Sequence, residues 1–72
     1  MEYTGRFTVG QRITLNGFTD VAKRNGITHL VEIKEVWNDE GRNGVTIEPV
    51  RGYGFPLDVR EDVLEEQIVK EV

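Results

Sequence analysis

The chain has 72 residues, no cysteine and a formal net charge of −4 at pH 7. The length predicts one domain over 1–72 with a thin core, because so short a chain buries only about 60% of the surface it exposes when unfolded. The lack of cysteine in the sequence excludes disulfides and thiolate–metal sites. Met1 and Glu2 begin no apolar stretch, and no run of the sequence resembles a membrane span, so we expect a complete, cytoplasmic protein that does not contact membranes.

Three Asn-Gly dipeptides separate short runs of alternating apolar residues. They are Asn16-Gly17, Asn25-Gly26 and Asn43-Gly44. Asn-Gly between alternating apolar residues is the strongest short-range signal for a β-hairpin turn, because both residues tolerate a positive φ. The three dipeptides therefore predict a small, antiparallel, all-β domain that is rich in tight turns.

The first strand is predicted from apolar residues at odd positions. The residues that would share one face of this strand are Phe7, Val9, Ile13 and Leu15. They indicate an entry segment at 6–9 and a strand at about 11–16, with Gly10 as a bulge or turn between them.

A long connection follows at 16–26, bounded by two of the Asn-Gly pairs. It is a poor candidate for a helix, and it carries Phe18 and Val21, so we expect it to fold back over the sheet. A loop of this length in a compact domain is a candidate for function.

The longest strand is predicted at 27–37. Polar residues interrupt both of its faces, which favours a bend near its middle. One predicted face would carry Ile27, His29, Val31, Ile33, Glu35 and Trp37. The segment 38–44, Asn-Asp-Glu-Gly-Arg-Asn-Gly, predicts a turn, which we expect at the same end of the domain as the loop 16–26.

Two more strands are predicted beyond this turn. A short strand at 45–48 ends at Pro49, which cannot donate a ladder hydrogen bond. A tight connection at 51–54 leads to a half-exposed strand in which Phe55, Leu57 and Val59 alternate with polar residues and Phe55 and Leu57 point inward.

The C-terminal segment has two interpretations. Asp58 and Glu61 match a capping box, and Leu64 and Ile68 would share a face of one helix over 60–71. Alternatively, 61–66 forms one helical turn and 68–72 forms a final strand. We favour the helical turn followed by a strand.

This order of elements resembles the SH3-like small β-barrel. The resemblance covers 6–72 and rests on element order, and it implies a five-stranded antiparallel barrel with a short helical turn before the last strand. The alternative fold is a β-sheet with a C-terminal helix. Peptide-binding SH3 domains carry an ALYDY-type motif, paired tryptophans and a Pro-x-x-Tyr segment, which this sequence lacks. Recognition of proline motifs is therefore not implied.

The residue types in the sequence give little support for a catalytic site. The sequence has one histidine, no serine and no cysteine, which excludes Ser-His-Asp and Cys-His arrangements. His29 lies in an alternating strand and is expected to be a packed or half-exposed sheet residue. We expect no enzymatic activity, no cofactor and no metal site.

The string Arg51-Gly52-Tyr53-Gly54-Phe55 resembles the start of the RNP1 motif of RNA-binding domains. It implies an alternative function as a single-stranded nucleic-acid-binding barrel that uses Arg51, Tyr53 and Phe55. Pro56 and Asp58 depart from the motif, so we favour a glycine-rich hairpin here.

Protein binding is the function that the sequence favours. Aromatic and arginine side chains are typical of protein interfaces. The candidate contact residues are Phe18, Lys23, Arg24, Trp37, Arg42, Arg51 and Tyr53. We expect a non-enzymatic protein-binding or regulatory module, such as an accessory subunit or inhibitor of a larger complex.

The whole negative charge lies in 58–72, because acids and bases balance in 1–57. Such a run is expected to be a solvated face or a second binding surface for a basic partner.

Overall fold

The structure is a computed structural model that describes residues 2–17, 19–52, 54 and 56–71. The elements in chain order are β1 (Arg12–Asn16), α1 (Asp20–Arg24), β2 (Thr28–Asp39), β3 (Arg42–Pro49), β4 (Leu57–Arg60), α2 (Glu61–Gln67) and β5 (Ile68–Glu71). All strand pairings are antiparallel, and the strand order is β4-β3-β2-β1-β5. The predicted fold class is confirmed: a five-stranded antiparallel sheet with a short helix before the last strand. Among the described residues β4 and β5 are edges, so the sheet is not closed.

A small core covers one face of the sheet, which we call the inner face. Its buried residues come from the N-terminal segment (residues 2–11), from strands β1, β2 and β3, and from helix α2. They are Phe7, Ile13, Leu15, Val31, Ile33, Val45, Ile47 and Leu64. Three of the four apolar residues predicted to share a face with the first strand are therefore buried. The prediction is wrong for Val9, which is 56% exposed beside the turn at Gly10.

A bulge in the pairing of β2 with β3 changes the face on which each later side chain of β2 lies. The register shifts between Ile33 and Glu35, near the middle of the strand, where the bend is predicted. Before the shift Val31 and Ile33 are buried, and after it Val36 packs against the core. Because neighbouring strand residues point to opposite faces, Trp37 then lies on the outer face. The single face predicted for 27–37 is therefore wrong beyond Ile33.

The turn between β2 and β3 is tighter than predicted. Asp39 pairs directly with Arg42, which leaves only Glu40 and Gly41 in the turn. Their φ angles are 52° and 82°, as a two-residue type I′ hairpin requires. The predicted turn at 38–44 is therefore too long, because its outer residues extend the two strands.

None of the Asn-Gly dipeptides forms a hairpin turn. Asn43 and Gly44 pair within β3, and Asn16 ends β1. Asn25 is the C-cap of α1. There, the N–H of Gly26 donates to the carbonyl of Lys23 and the N–H of Ile27 donates to the carbonyl of Ala22, which is a Schellman motif.

Helix α1 corrects the expectation that 16–26 forms no helix. Thr19 is its N-cap, and its side chain accepts a hydrogen bond from the N–H of Ala22 at 3.1 Å. Caps at both ends satisfy backbone groups that would otherwise make so short a helix unfavourable. Val21 is 59% exposed, so its predicted packing over the sheet is wrong.

The C-terminal segment adopts the interpretation that we favoured, a short helix followed by a strand. The predicted strand reaches Val72, which is outside the described residues. The predicted capping box is wrong: Arg60 is the N-cap of α2, and it makes no side-chain capping bond. Glu61 instead accepts hydrogen bonds from the N-terminal segment.

The acidic C-terminal residues hold the N-terminal segment against α2 and β5. The hydroxyl of Tyr3 donates to Glu61 Oε2 at 2.6 Å and accepts from the N–H of Phe7 at 3.0 Å. Arg6 forms ion pairs with Glu65 at 3.1 Å and with Glu71 at 2.8 Å. These three carboxylates are therefore already bonded within the chain. The acidic C-terminal residues 58–72 are more than a solvated face.

Replacing Gly44 with alanine is expected to destabilise the protein by about 2 kcal/mol, the usual cost of overpacking. Gly44 is buried, and a Cβ there would collide with the indole ring of Trp37. Urea unfolding checks this. In a Trp37→Val background the ring is absent, so we expect Gly44→Ala to be neutral or slightly stabilising. An equal cost in both backgrounds would rule out the collision.

Tyr3 is expected to make stability fall at alkaline pH. Burial, and then the hydrogen bond to Glu61, raise the pKa of Tyr3 from 10.0 to about 12. The neutral phenol is favoured in the folded state, so its contribution is complete below pH 10 and is lost as the pH rises through about 12.

The Tyr3→Phe variant tests this pH dependence, because it keeps the ring and removes the titrating group. We expect it to lose about 1–2 kcal/mol at about pH 8, from the missing hydrogen bonds. Above about pH 10 its unfolding free energy should fall less steeply than that of the wild type. Parallel pH profiles for the two proteins would contradict the prediction.

Candidate protein-binding surface

The residues predicted to contact a partner lie at two ends of the sheet. Phe18 and Tyr53 are outside the described residues. Lys23 and Arg24 lie on α1, and Arg51 follows β3, all near the start of β2. Trp37 and Arg42 lie at the other end, beside the β2–β3 turn.

The twelve-residue strand β2 separates these two groups. A strand rises about 3.3 Å per residue, so this strand spans most of the 39 Å long dimension of the protein. The loops at 16–26 and 38–44 therefore lie at opposite ends of the sheet, and the expectation that they share one end is wrong. A single surface cannot include all the predicted residues.

We call the end of the sheet beside the β2–β3 turn the turn end. There, Trp37 and Arg42 line one shallow depression. Arg60, from β4, lies in it as well, together with the carboxylates of Asp39 and Glu40. We call these five residues the Trp37–Arg42 patch. β3 brings it together, because Gly44 pairs with Trp37 on one side and with Arg60 on the other.

Gly44 explains the position of the tryptophan. A residue without a side chain leaves room for the indole ring to lie over the strand, and any Cβ there would collide with that ring. The ring is half-buried, and its Nε1 atom is buried with no hydrogen-bond partner among the described residues. Trp37 is thus held by packing rather than by a polar contact.

The two arginines of the patch are not paired within the part of the chain that the structure describes. Neither Arg42 nor Arg60 forms an ion pair or a side-chain hydrogen bond there. By contrast, the carboxylate of Glu32 forms two ion pairs: its Oε2 lies 2.7 Å from Lys34 Nζ, and its Oε1 lies 3.3 Å from Arg12 Nε. Hydrogen bonds from Lys34 and then Arg12 hold the pKa of Glu32 below its usual value. Two free guanidinium groups therefore lie together at the turn end, beside Trp37.

The cations at the other end are also exposed, but the depressions that Lys23 and Arg51 line contain no described Phe, Tyr or Trp residue. Arg24 donates from Nε to the carbonyl of Asp20 at 3.4 Å. Arg51 shares a depression with Thr14, half-buried His29 and Pro49. Among the described residues, the combination of a tryptophan with arginine side chains is therefore found at the turn end.

An apolar groove lies between β4 and α2 on the inner side. Leu57 and Val63 are 50% and 48% exposed along it. Its other lining residues are Leu15, Lys23, Ile47, Val59, Leu64 and Gln67, and its volume is about 230 Å³. Leu57 therefore lies on the inner face, as predicted, but it is half exposed rather than packed in the core; Phe55 is outside the described residues.

Arg60, Leu57 and Val63 were not among the predicted contact residues. The alternation of 57–60 does place Leu57 and Val59 on one face and Asp58 and Arg60 on the other. The sequence could therefore have placed Arg60 on the outer face. Its proximity to Trp37 depends on the pairing of three strands, which the sequence pattern does not show.

The described residues contain no group of three or more His, Asp or Glu side chains arranged to hold a metal ion. Across the same part of the chain, no helix has the length and apolar character needed to cross a membrane. Comparisons with protein-family models, curated proteins and solved structures find no match. The geometry of the surface is therefore the basis for any functional proposal.

Proposed function

We propose that this protein is a non-enzymatic protein-binding or regulatory module that contacts its partner through the Trp37–Arg42 patch. The observation that supports this most strongly is the pair of unpaired guanidinium groups, Arg42 and Arg60, beside a half-buried tryptophan. Tryptophan and arginine are the residue types most enriched among those that dominate binding energy at interfaces. An accessory subunit or an inhibitor of a larger complex would use such a patch.

The charge pattern supports a protein as the partner rather than a nucleic acid. The patch contains two carboxylates, Asp39 and Glu40, next to its two arginines, and the whole chain has a charge of −4. Phosphate backbones are bound through an excess of positive charge, which this surface lacks. A protein partner with both charge signs fits a mixed surface better.

The fold that we propose for this module is an open variant of the SH3-like small barrel. Three features support the resemblance: the strand order β5-β1-β2-β3-β4, the bulged long strand β2 and the short helix before β5. The proline-peptide motif of SH3 domains is missing from this sequence, so the proposed partner is not a proline-rich peptide. A shared fold does not by itself determine function.

Arg42→Glu is expected to weaken partner binding while leaving the fold intact, because Arg42 is exposed and forms no ion pair among the described residues. The protein is tagged and used for affinity purification from its native host, with quantitative mass spectrometry. We expect a discrete partner to be lost with Arg42→Glu and with Trp37→Leu. With the purified partner, Arg42→Glu should weaken binding by about tenfold or more.

Arg24→Glu is the matched control, because it makes the same charge change on an exposed residue at the other end of the sheet. It should retain the partner. Loss of the partner with Arg24→Glu but not with Arg42→Glu would move the site to α1 and disprove the patch. Salt-sensitive binding of a fluorescent single-stranded oligonucleotide that Arg51→Glu removes would instead favour the nucleic-acid alternative.

A further inference from the structure

Strand β4 is an edge of the sheet with an alternating pattern of charged and apolar residues. It pairs with β3 on one side and with no described strand on the other. An unpaired edge presents backbone N–H and C=O groups that another strand can bind. Asp58 and Arg60 face outward, and Val59 packs toward the core.

The charges of β4 are complementary to those of a second β4 in one particular register. When two antiparallel copies pair about a two-fold axis through Val59, Val59 meets itself. Asp58 of each copy then lies opposite Arg60 of the other, so the axis creates two identical ion pairs. Two-fold interfaces of this self-complementary kind are the commonest in soluble homo-oligomers. We propose that the protein forms a homodimer through this edge-to-edge pairing of β4.

The side chains involved are able to make the additional contacts. Thr46 donates its hydroxyl hydrogen to Asp58 Oδ1 at 2.6 Å, which leaves Oδ2 for a guanidinium group. Arg60 is exposed and makes no ion pair among the described residues. Charge pairs across an interface mainly set its register and exclude wrong partners, while backbone hydrogen bonds and apolar burial contribute affinity.

The apolar groove beside β4 gives a second reason for an occupant at this edge. Leu57 is about half exposed on the strand itself, and Val63 is about half exposed on the helix next to it. A strand added to β4 would place its own inner-face residues beside these two. In the two-fold register Val59 of the other copy lies opposite Val59, and its Leu57 lies opposite Glu61, the first residue of the helix that carries Val63.

The opposite edge, β5, is a weaker candidate for the same contact. Glu71 is already held by Arg6 at 2.8 Å and by the side-chain amide of Gln11 at 3.2 Å. The N-terminal segment therefore occupies the carboxylate at this edge, which leaves Lys70 as the other charged residue of β5. On β4, Arg60 has no such partner among the described residues.

Self-pairing shares Arg60 with the Trp37–Arg42 patch, but it rests on the unpaired edge of β4 and on Asp58, which the patch does not include. Arg42 is not on β4, and it remains on the outer face of a sheet that would continue from one copy into the other. The failure of one proposal therefore does not imply the failure of the other: Arg42→Glu should remove the partner and preserve the dimer.

Sedimentation velocity over about 5 µM to about 1 mM protein tests the dimer. If the dissociation constant lies in this range, the fraction of protein present as dimer rises measurably with concentration. We expect the wild type to shift from monomer to dimer. Asp58→Arg and Arg60→Asp each place like charges opposite one another, so each should raise the dissociation constant by about tenfold or more.

Mixing the two single variants gives the decisive measurement. In the mixed dimer the arginine introduced at position 58 lies opposite the aspartate introduced at position 60, and the native Asp58–Arg60 pair forms at the other position. Two proteins that are separately monomeric should therefore associate when mixed. Circular dichroism confirms that each is folded, and Thr46→Val controls for the lost hydrogen bond to Asp58.

Asp20→Arg on α1 is the matched control and should leave the wild-type dimer unchanged. A protein that stays monomeric at about 1 mM disproves the proposal. So does a dimer that both charge reversals leave intact, or a mixture of folded variants that fails to associate. A dimer that Lys70→Glu disrupts, and the β4 variants do not, would place the contact on β5 and also overturn it.

Discussion

The shift in register between β2 and β3 at Ile33 and Glu35 decides which side chains of the turn end face the core. Without it, strict alternation would put Trp37 on the same face as Val31 and Ile33, and Val36 on the outside. With it, Val36 joins the core, and the indole ring lies over Gly44 on the outer face. The Trp37–Arg42 patch depends on this irregularity, because only the outer face brings Trp37 beside Arg60.

The N-terminal segment depends on a second set of interactions, with the acidic C-terminal residues. Glu61, Glu65 and Glu71 each bond to this segment, although they are far from it in sequence. These contacts connect the two ends of the chain across β1 and α2. They also reduce the negative charge that is available to a basic partner, which makes the turn end the better candidate for binding.

The candidate surfaces share one physical property: groups that the chain itself leaves without partners. Most of the ion pairs observed lie on the N-terminal segment and on the outer face of β1 and β2. Arg42 and Arg60 have none among the described residues, and the edge of β4 has no neighbouring strand there. The proposed partner site and the proposed dimer contact therefore share Arg60, and they can be tested separately through Arg42 and Asp58.

Local pattern in the sequence determined the type and order of the strands and of α2, though not α1, because alternation and helix periodicity are properties of neighbouring residues. It placed all five strands, the bend in β2 and the helix before β5, and it identified Ile13, Leu15 and Ile33 as members of regular faces. It overestimated the Asn-Gly dipeptides, since the same residue pair also suits a helix C-cap or a strand position.

Only the tertiary structure decided which glycine lies under Trp37, which carboxylates bind the N-terminal segment and which arginines stay unpaired. These outcomes depend on strand register and on contacts between residues up to 65 positions apart. A one-residue shift in register moves every later side chain to the other face. The sequence therefore predicted the sheet, and the register determined which side chains its outer face presents.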